Sequence, residues 1–142
     1  MTQPIHKLPL VLLPVLSFLL YLMGHGEAFA SCNTISTFAD GLSPIQEIHV
    51  ATGGSDTNGD GSIESPDATI GHGISQATPG TAVIIHSGTY AGGIYKNNVA
   101  GTASAPIWIG GAAGESLPVI DGGNTGIQMS RAKYVVLHDL EV

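Results

Sequence analysis

Residues 48–90 read IHVATGGSDTNGDGSIESPDATIGHGISQATPGTAVIIHSGTY, and the punctuation of this stretch decides the fold. Ile48-His49-Val50 is a short β-type run that stops at Gly53-Gly54. A turn-rich loop over 55–66 follows. The next segment, Asp67 to Ala77, carries a helical period, with Ile70, Ile74 and Ala77 recurring at i, i+4 and i+7 on one face. Asp67 or Thr69 caps its start, and Pro79-Gly80 ends it. Gly71 and Gly73 each cost about 1 kcal/mol against Ala in a helix interior. Such a helix must be held by packing on something else.

Beyond Gly80 the pattern changes to short strands with polar breaks: Ala82 to His86, Pro106 to Ile109, Pro118 to Ile120, Gly126 to Met129 and Tyr134 to Val142. The pairs Gly92-Gly93, Gly110-Gly111 and Gly122-Gly123 punctuate these strands. With Ile84, Trp108 and Val135 as strand centres, the spacings are 24 and 27 residues, in the range that stacked coils produce. A closed sandwich or barrel is the alternative for short, regularly broken strands. Against it, Asp60-Gly61 and Asp121-Gly122 lack flanking strands of matching length, so no two-residue hairpin turn is in place. The expected architecture is an all-β solenoid.

These segments, taken in order, resemble the N-terminal end of right-handed parallel β-helix proteins of the pectate lyase-like superfamily. The likeness is carried by Gly54-Ser55-Asp56, Ala68-Thr69-Ile70 at the helix start, Pro79-Gly80, Gly88-Thr89-Tyr90, GTASAPIWIGG (101–111), PVIDGG (118–123) and YVVLHDLEV (134–142). The resemblance implies a capping helix over the first coil, because the end of a stacked array otherwise exposes its interior and its unpaired strand edge. Val83, Ile85, Ile107, Ile109, Val119 and Val135 are the expected inward residues. About two to three coils are expected where about three or more are usual. Val142 falls in or just after an apolar strand, so residues 48–142 are read as a truncated cap and first coils.

The N-terminus reads as an export signal over residues 1–30. His6 and Lys7 precede an uncharged run from Leu8 to Gly24, and Ala28-Phe29-Ala30 offers a cleavage site before Ser31. Residues 31–47 are a polar leader, loosely ordered or packed as a lid. Phe29-Ala30-Ser31-Cys32 also resembles a bacterial lipobox, in which Cys32 would be lipidated. The expected location is extracellular or cell-envelope, with a membrane association only if Cys32 is lipidated. Cys32 is the single cysteine, which excludes an intramolecular disulfide scaffold. With 4 Lys and Arg against 11 Asp and Glu and a formal charge of −7, nucleic acid is an unsuitable partner.

The loop from Asp56 fits the calcium-loop spacing D-x-N-x-D-G, with Asp56, Asn58, Asp60, Ser62 and Asp67 as the candidate oxygen ligands for Ca²⁺. The same loop also fits an Asx-rich turn leading into a helix cap. The absence of a helix pattern before Asp56, and Pro66 and Asp67 at the last two positions, favour the turn. For the chemistry, the resemblance implies a secreted β-helix acting on an acidic polysaccharide such as pectin or alginate by β-elimination. There Ca²⁺ acidifies the proton next to a uronate carboxylate and a Lys or Arg removes it. Lys96, Arg131 and Lys133 are the bases on offer, and none sits in a catalytic motif, so the catalytic residues are unassigned and expected in coils beyond Val142. Asp121 reads as a turn element. Asp139 and Glu141 alternate and would share one strand face. His49, His72, His86 and His138 show no local ligand spacing. A non-catalytic glycan-binding or scaffold β-helix is the alternative, and a calcium-stabilised docking module ranks behind it.

Overall fold

A computed structural model describes residues 39–122 and 125–142. The signal segment and Cys32 lie outside the described residues. Every strand is short because glycine, proline or a left-handed residue interrupts it, and every named strand pair is parallel. Strands β1 (Gln46–Val50), β2 (Thr81–Ile85), β5 (Ile107–Gly111) and β8 (Val135–His138) form one sheet in the order β1-β2-β5-β8. Strands β3 (Thr89–Ala91) and β6 (Val119–Asp121) form a second, and β4 (Ile94–Asn97) and β7 (Ile127–Ser130) a third. Neighbours in each sheet are therefore one coil apart in sequence, the arrangement of a parallel β-helix. It excludes the hairpin-built sandwich.

The register explains which side chains form the core. Ile48 lies opposite Val83, Val83 opposite Ile109 and Ile109 opposite Leu137, a column of aliphatic residues on the inner side of the sheet. Val50 and Ile85 form a second column, and Tyr90 stacks on Ile120 in the second sheet. Val83, Ile85, Ile107 and Ile109 are fully buried, whereas Ile84 and Trp108 between them are only partly covered, so every second residue faces inward. Val135 packs against the same core. Val119 does not hold the inward position assigned to it: Ile120 is buried and Val119 is only partly covered. In a three-residue strand the alternation has too few positions to set its own phase.

Sequence reading misses two strands, β3 and β4, and shifts the repeat. The coil advances 26 residues from Val83 to Ile109 and 28 from Ile109 to Leu137, but 30 from Thr89 to Val119 and 33 from Ile94 to Ile127, because the turns differ in length. Asn98 and Arg131, which follow the paired residues Asn97 and Ser130, both adopt left-handed backbone at φ 58° and 54°. The same corner thus recurs in consecutive coils. The end of the polar leader is also ordered: β1 begins at Gln46, and the Ile45 N–H bonds to the Gly80 carbonyl at 2.9 Å.

Helix α1 (Ile70–Gln76) is shorter than the sequence pattern and starts at its N-cap, Thr69, whose hydroxyl accepts the His72 N–H. It buries Ile70 and Ile74 and packs against β1, β2 and β4, covering the end of the aliphatic columns. Gly73 permits this approach. A Cβ there would lie 2.8 Å from Val50 Cγ2 and 3.2 Å from Val83 Cγ1, whereas one at Gly71 would meet Lys96 Cε at 3.6 Å, an ordinary contact.

The two glycines therefore give opposite expectations in urea unfolding. Gly73→Ala is expected to lose about 1–3 kcal/mol, overpacking outweighing helix preference. Gly71→Ala should gain up to about 1 kcal/mol. Equal effects at the two positions would contradict the packing of α1 on β1 and β2.

Candidate functional site

A cleft of about 400 Å³ lies where the start of α1 faces β3 and β4, a size in the range of small-ligand sites. Thr52, Thr69 and Thr89 line it, and Tyr95 and Lys96 come from adjacent positions of β4. Because successive strand residues point to opposite sides, Tyr95 stands outward with 57% of its surface exposed. Lys96 turns toward the helix, where its Nζ lies 2.5 Å from Ser75 Oγ. That partner is neutral, and among the described residues no carboxylate pairs with Lys96. Tyr90 lines the cleft with its ring only. Its hydroxyl donates to the carbonyls of His86 at 2.8 Å and Val50 at 3.2 Å. Burial, assisted by the Glu115 charge, pushes its phenol pKa up.

The loop read for calcium spacing closes on its own hydrogen bonds. Asp56 Oδ1 accepts the backbone N–H of Ala68 at 2.8 Å and of Thr69 at 2.9 Å, and Oδ2 accepts the Thr69 hydroxyl at 2.6 Å. Asp60 Oδ1 accepts the Ser62 N–H at 2.9 Å, Ser62 Oγ accepts the Ser65 N–H at 3.1 Å, and the Asn58 N–H donates to Ser55 Oγ at 3.1 Å. Gly54 lets the loop close, since a Cβ there would sit 2.3 Å from the Asp67 carbonyl oxygen. These are the bonds of an Asx-rich turn running into a helix cap. Calcium takes about six to eight oxygens converging on one point. Among the described residues no group of three His, Cys, Asp or Glu side chains comes together, and Asp56, Asp60 and Ser62 each direct a side-chain oxygen to a donor within the loop or helix cap.

Asp67 is the outlier of the loop. It is wholly buried, its Oδ2 accepts Gln76 Nε2 at 2.6 Å, and its Oδ1 has no hydrogen-bond partner, with His72 Nε2 3.9 Å away. Burial raises its pKa; His72 opposes the rise, and the charges of Asp56 and Asp60 add to it. Asp56 moves the other way. Burial opposes its ionisation, yet the bonds from the Thr69 hydroxyl and the amides of Thr69 and Ala68 prevail and lower its pKa.

Of the remaining candidates, Arg131 and Lys133 sit exposed on the turn between β7 and β8, outside the cleft. Asp121 ends β6, where its carbonyl accepts the Gly92 N–H. Asp139 and Glu141 do not share a strand face: Asp139 has φ 50°, β8 ends at His138, and Glu141 bridges Val119 in a different sheet. His138 Nδ1 lies 2.9 Å from Asp139 Oδ2. His49 and His86, 37 residues apart, are brought within 3.0 Å on the other side of the coil turn. The sequence singles out Lys96 only as a base on offer, and does not single out Tyr95. The alternation Ile94-Tyr95-Lys96-Asn97 was the signal that a strand orients them.

No protein-family model matches the sequence, and no curated protein matches it. Solved structures do. Pectate lyase Pel9A aligns with 72% of this chain at 22% identity and a TM-score of 0.59. A rhamnogalacturonan lyase aligns with 67% at 20% identity and 0.54. The GH136 lacto-N-biosidase from Eubacterium ramulus aligns with 67% at 16% identity and 0.52. At such identities the likeness establishes the fold, a parallel β-helix. The matched regions span 29%, 28% and 20% of those three proteins.

The two aspartates of the loop set opposite pH dependences. Asp56, with its pKa depressed when folded, stabilises the protein above its unfolded pKa, and that contribution disappears as pH falls through the folded value. Asp56→Ala is expected to cost about 0.5–2 kcal/mol at neutral pH, read by urea unfolding, with the deficit shrinking in acid. Asp67, with its pKa raised, favours the fold most below its unfolded pKa and loses that contribution as pH rises through the folded value. Asp67→Asn should therefore gain on wild type as pH rises from acid to neutral. A wild-type-minus-variant difference that does not change with pH would contradict the burial of an unpaired carboxylate oxygen.

Proposed function

We propose that this chain forms the capped beginning of a secreted, carbohydrate-active β-helix, and that the cleft between α1 and β4 binds an acidic polysaccharide of the pectin or alginate kind. The observation that carries this reading is the Lys96 ammonium lining the cleft, held at the Ser75 hydroxyl, with the exposed Tyr95 also among the lining residues. A uronate has an apolar face that stacks on an aromatic ring. Its carboxylate suits an ammonium whose only described partner is a neutral hydroxyl. Its ring hydroxyls match Thr52 and Thr89. The fold shared with a pectate lyase and a rhamnogalacturonan lyase agrees with the reading without fixing it, since one fold hosts many activities.

The reaction proposed for the larger β-helix is β-elimination, in which a base removes the proton next to the uronate carboxylate and the glycosidic oxygen leaves. Within the chain the cleft is assigned binding, because its charged group is a cation held at Ser75 rather than one set beside a metal-ligating group. Export by residues 1–30, with tethering through Cys32 as the variant of that route, places the protein where such polymers occur.

Calorimetric titration with oligogalacturonate and oligoalginate is expected to show binding that weakens with salt. Lys96→Ala or Tyr95→Ala should lower the affinity roughly tenfold. The unsaturated-uronate absorbance in the ultraviolet should stay flat. Equal affinity for a neutral oligosaccharide, or variants that bind as well as wild type, would contradict the acidic-glycan assignment. Rising absorbance would contradict a binding-only role for the cleft.

A further inference from the structure

Positive charge is scarce in this chain, and it is not spread evenly. Of the 4 Lys and Arg, set against 11 Asp and Glu, Lys7 lies in the N-terminal segment. The other three, Lys96, Arg131 and Lys133, fall on the third sheet and the turn that follows it. Lys96 is in β4, opposite Met129 of β7, and Asn97 lies opposite Ser130. Arg131 follows Ser130 directly. Lys133 is tied to the same corner, since its N–H donates to the Val99 carbonyl at 3.0 Å and it bridges Ala100. With strands about 4.8 Å apart and about 3.3 Å of rise per residue, the Cα atoms of Lys96 and Arg131 stand about 8 Å apart.

No acidic residue interrupts this region. Residues 94–99 (IYKNNV) and 127–134 (IQMSRAKY) contain neither Asp nor Glu, and among the described residues none of the three cations pairs with a carboxylate. Arg131 and Lys133 are exposed, as are Asn97 and Asn98 one coil above them. Two aromatic rings flank the charges, Tyr95 with 57% of its surface exposed and Tyr134 with 45%. Left-handed backbone at Asn98 and Arg131 turns both coils at this corner. Gathering three like charges brings the fold repulsion rather than stability. An anionic ligand is the group they suit.

We propose that Lys96, Arg131 and Lys133, flanked by the rings of Tyr95 and Tyr134, form a track for an acidic polysaccharide that leaves the cleft at Lys96 and crosses the Asn98 corner onto the second coil. The inference rests on the acidic-glycan reading of the cleft and extends it, because the ligand becomes a run of several uronates rather than one sugar. The Arg131 guanidinium offers a carboxylate two parallel N–H donors, and Lys133 adds a point charge. The side-chain amides of Asn97 and Asn98 donate and accept as ring hydroxyls require. The separation of Lys96 from Arg131 exceeds the width of one pyranose ring, so the cations meet carboxylates on different sugars. Once the cleft is filled, the contacts along the corner are intramolecular, and affinity rises with chain length.

Titration of the full chain with galacturonate oligomers of two lengths tests the track, one a disaccharide confined to the cleft and the other long enough to reach Lys133. Wild type is expected to bind the longer oligomer roughly tenfold more tightly or better, with the steeper salt dependence. Arg131→Gln combined with Lys133→Gln, both on an exposed turn outside the cleft, should leave the disaccharide affinity unchanged and remove the gain from length. Equal affinity for the two lengths in wild type, or a gain from length that survives in the double variant, would overturn the track and leave the cleft reading standing. A disaccharide that fails to bind, with the longer oligomer still weakened in the double variant, would contradict the cleft and support the track. Failure of both lengths to bind would overturn both readings. Polyglutamate binding as tightly as the longer oligomer would also overturn the track, by marking a patch for any polyanion.

Discussion

The in-register parallel stacking of one coil on the next is the constraint from which the rest of the molecule follows. Ile48, Val83, Ile109 and Leu137 stand one above another because β1, β2, β5 and β8 pair residue for residue, and each shields the next from water. The side-chain period of a strand is two, so a slip of one residue would carry the column to the solvent side and bring in His49, Ile84, Gly110 and His138. The loss would be about 1.5–3 kcal/mol for each buried aliphatic side chain turned out. That penalty sets the register, and the register in turn places residues that are remote in sequence. It puts Asn98 above Arg131 at a repeated corner and His86 beside His49.

A stacked array has an end, and the end is where this sequence concentrates its special residues. Helix α1 has seven residues, two of them glycine, and would not persist alone. It exists because Ile70 and Ile74 close over the columns and because Asp56, thirteen residues before Thr69, satisfies the amides that open the helix. The turn-rich loop is thus a capping device for the helix, as the helix is for the coil. The same closure builds the cleft, since the start of α1 and the strands β3 and β4 are its walls.

Much of this could be read in the chain before any coordinates. The period of Ile70, Ile74 and Ala77, the Thr69 cap and the alternation through Val83, Ile85, Ile107 and Ile109 are local patterns enforced by burial, and local patterns survive in sequence. The order of the motifs around them gave the parallel β-helix. What was not legible depends on the coil as a whole. Strands β3 and β4 flank Gly92-Gly93 and are three and four residues long, too short for a period to show. The phase of Val119 and Ile120 is decided by Tyr90 one coil away. Asp139 and Glu141 look like strand partners until the left-handed turn at Asp139 separates them. The cleft joins residues 52, 69, 89 and 96, and the histidine pair joins 49 to 86, so spacing rules for local motifs could not find either. The calcium-loop spacing was legible and matched a pattern; at Asp56, Asp60 and Ser62 the side-chain oxygens it selects accept backbone amides, because a helix cap draws on the same acceptor chemistry as a hard cation.

The central claim is the parallel register itself, and NMR contacts between strands test it most directly. The account predicts cross-strand contacts between Val83 and Ile109, between Ile109 and Leu137 and between Tyr90 and Ile120, all with parallel offsets. Antiparallel contacts between strands adjacent in sequence, such as β2 with β3 or β5 with β6, would contradict it.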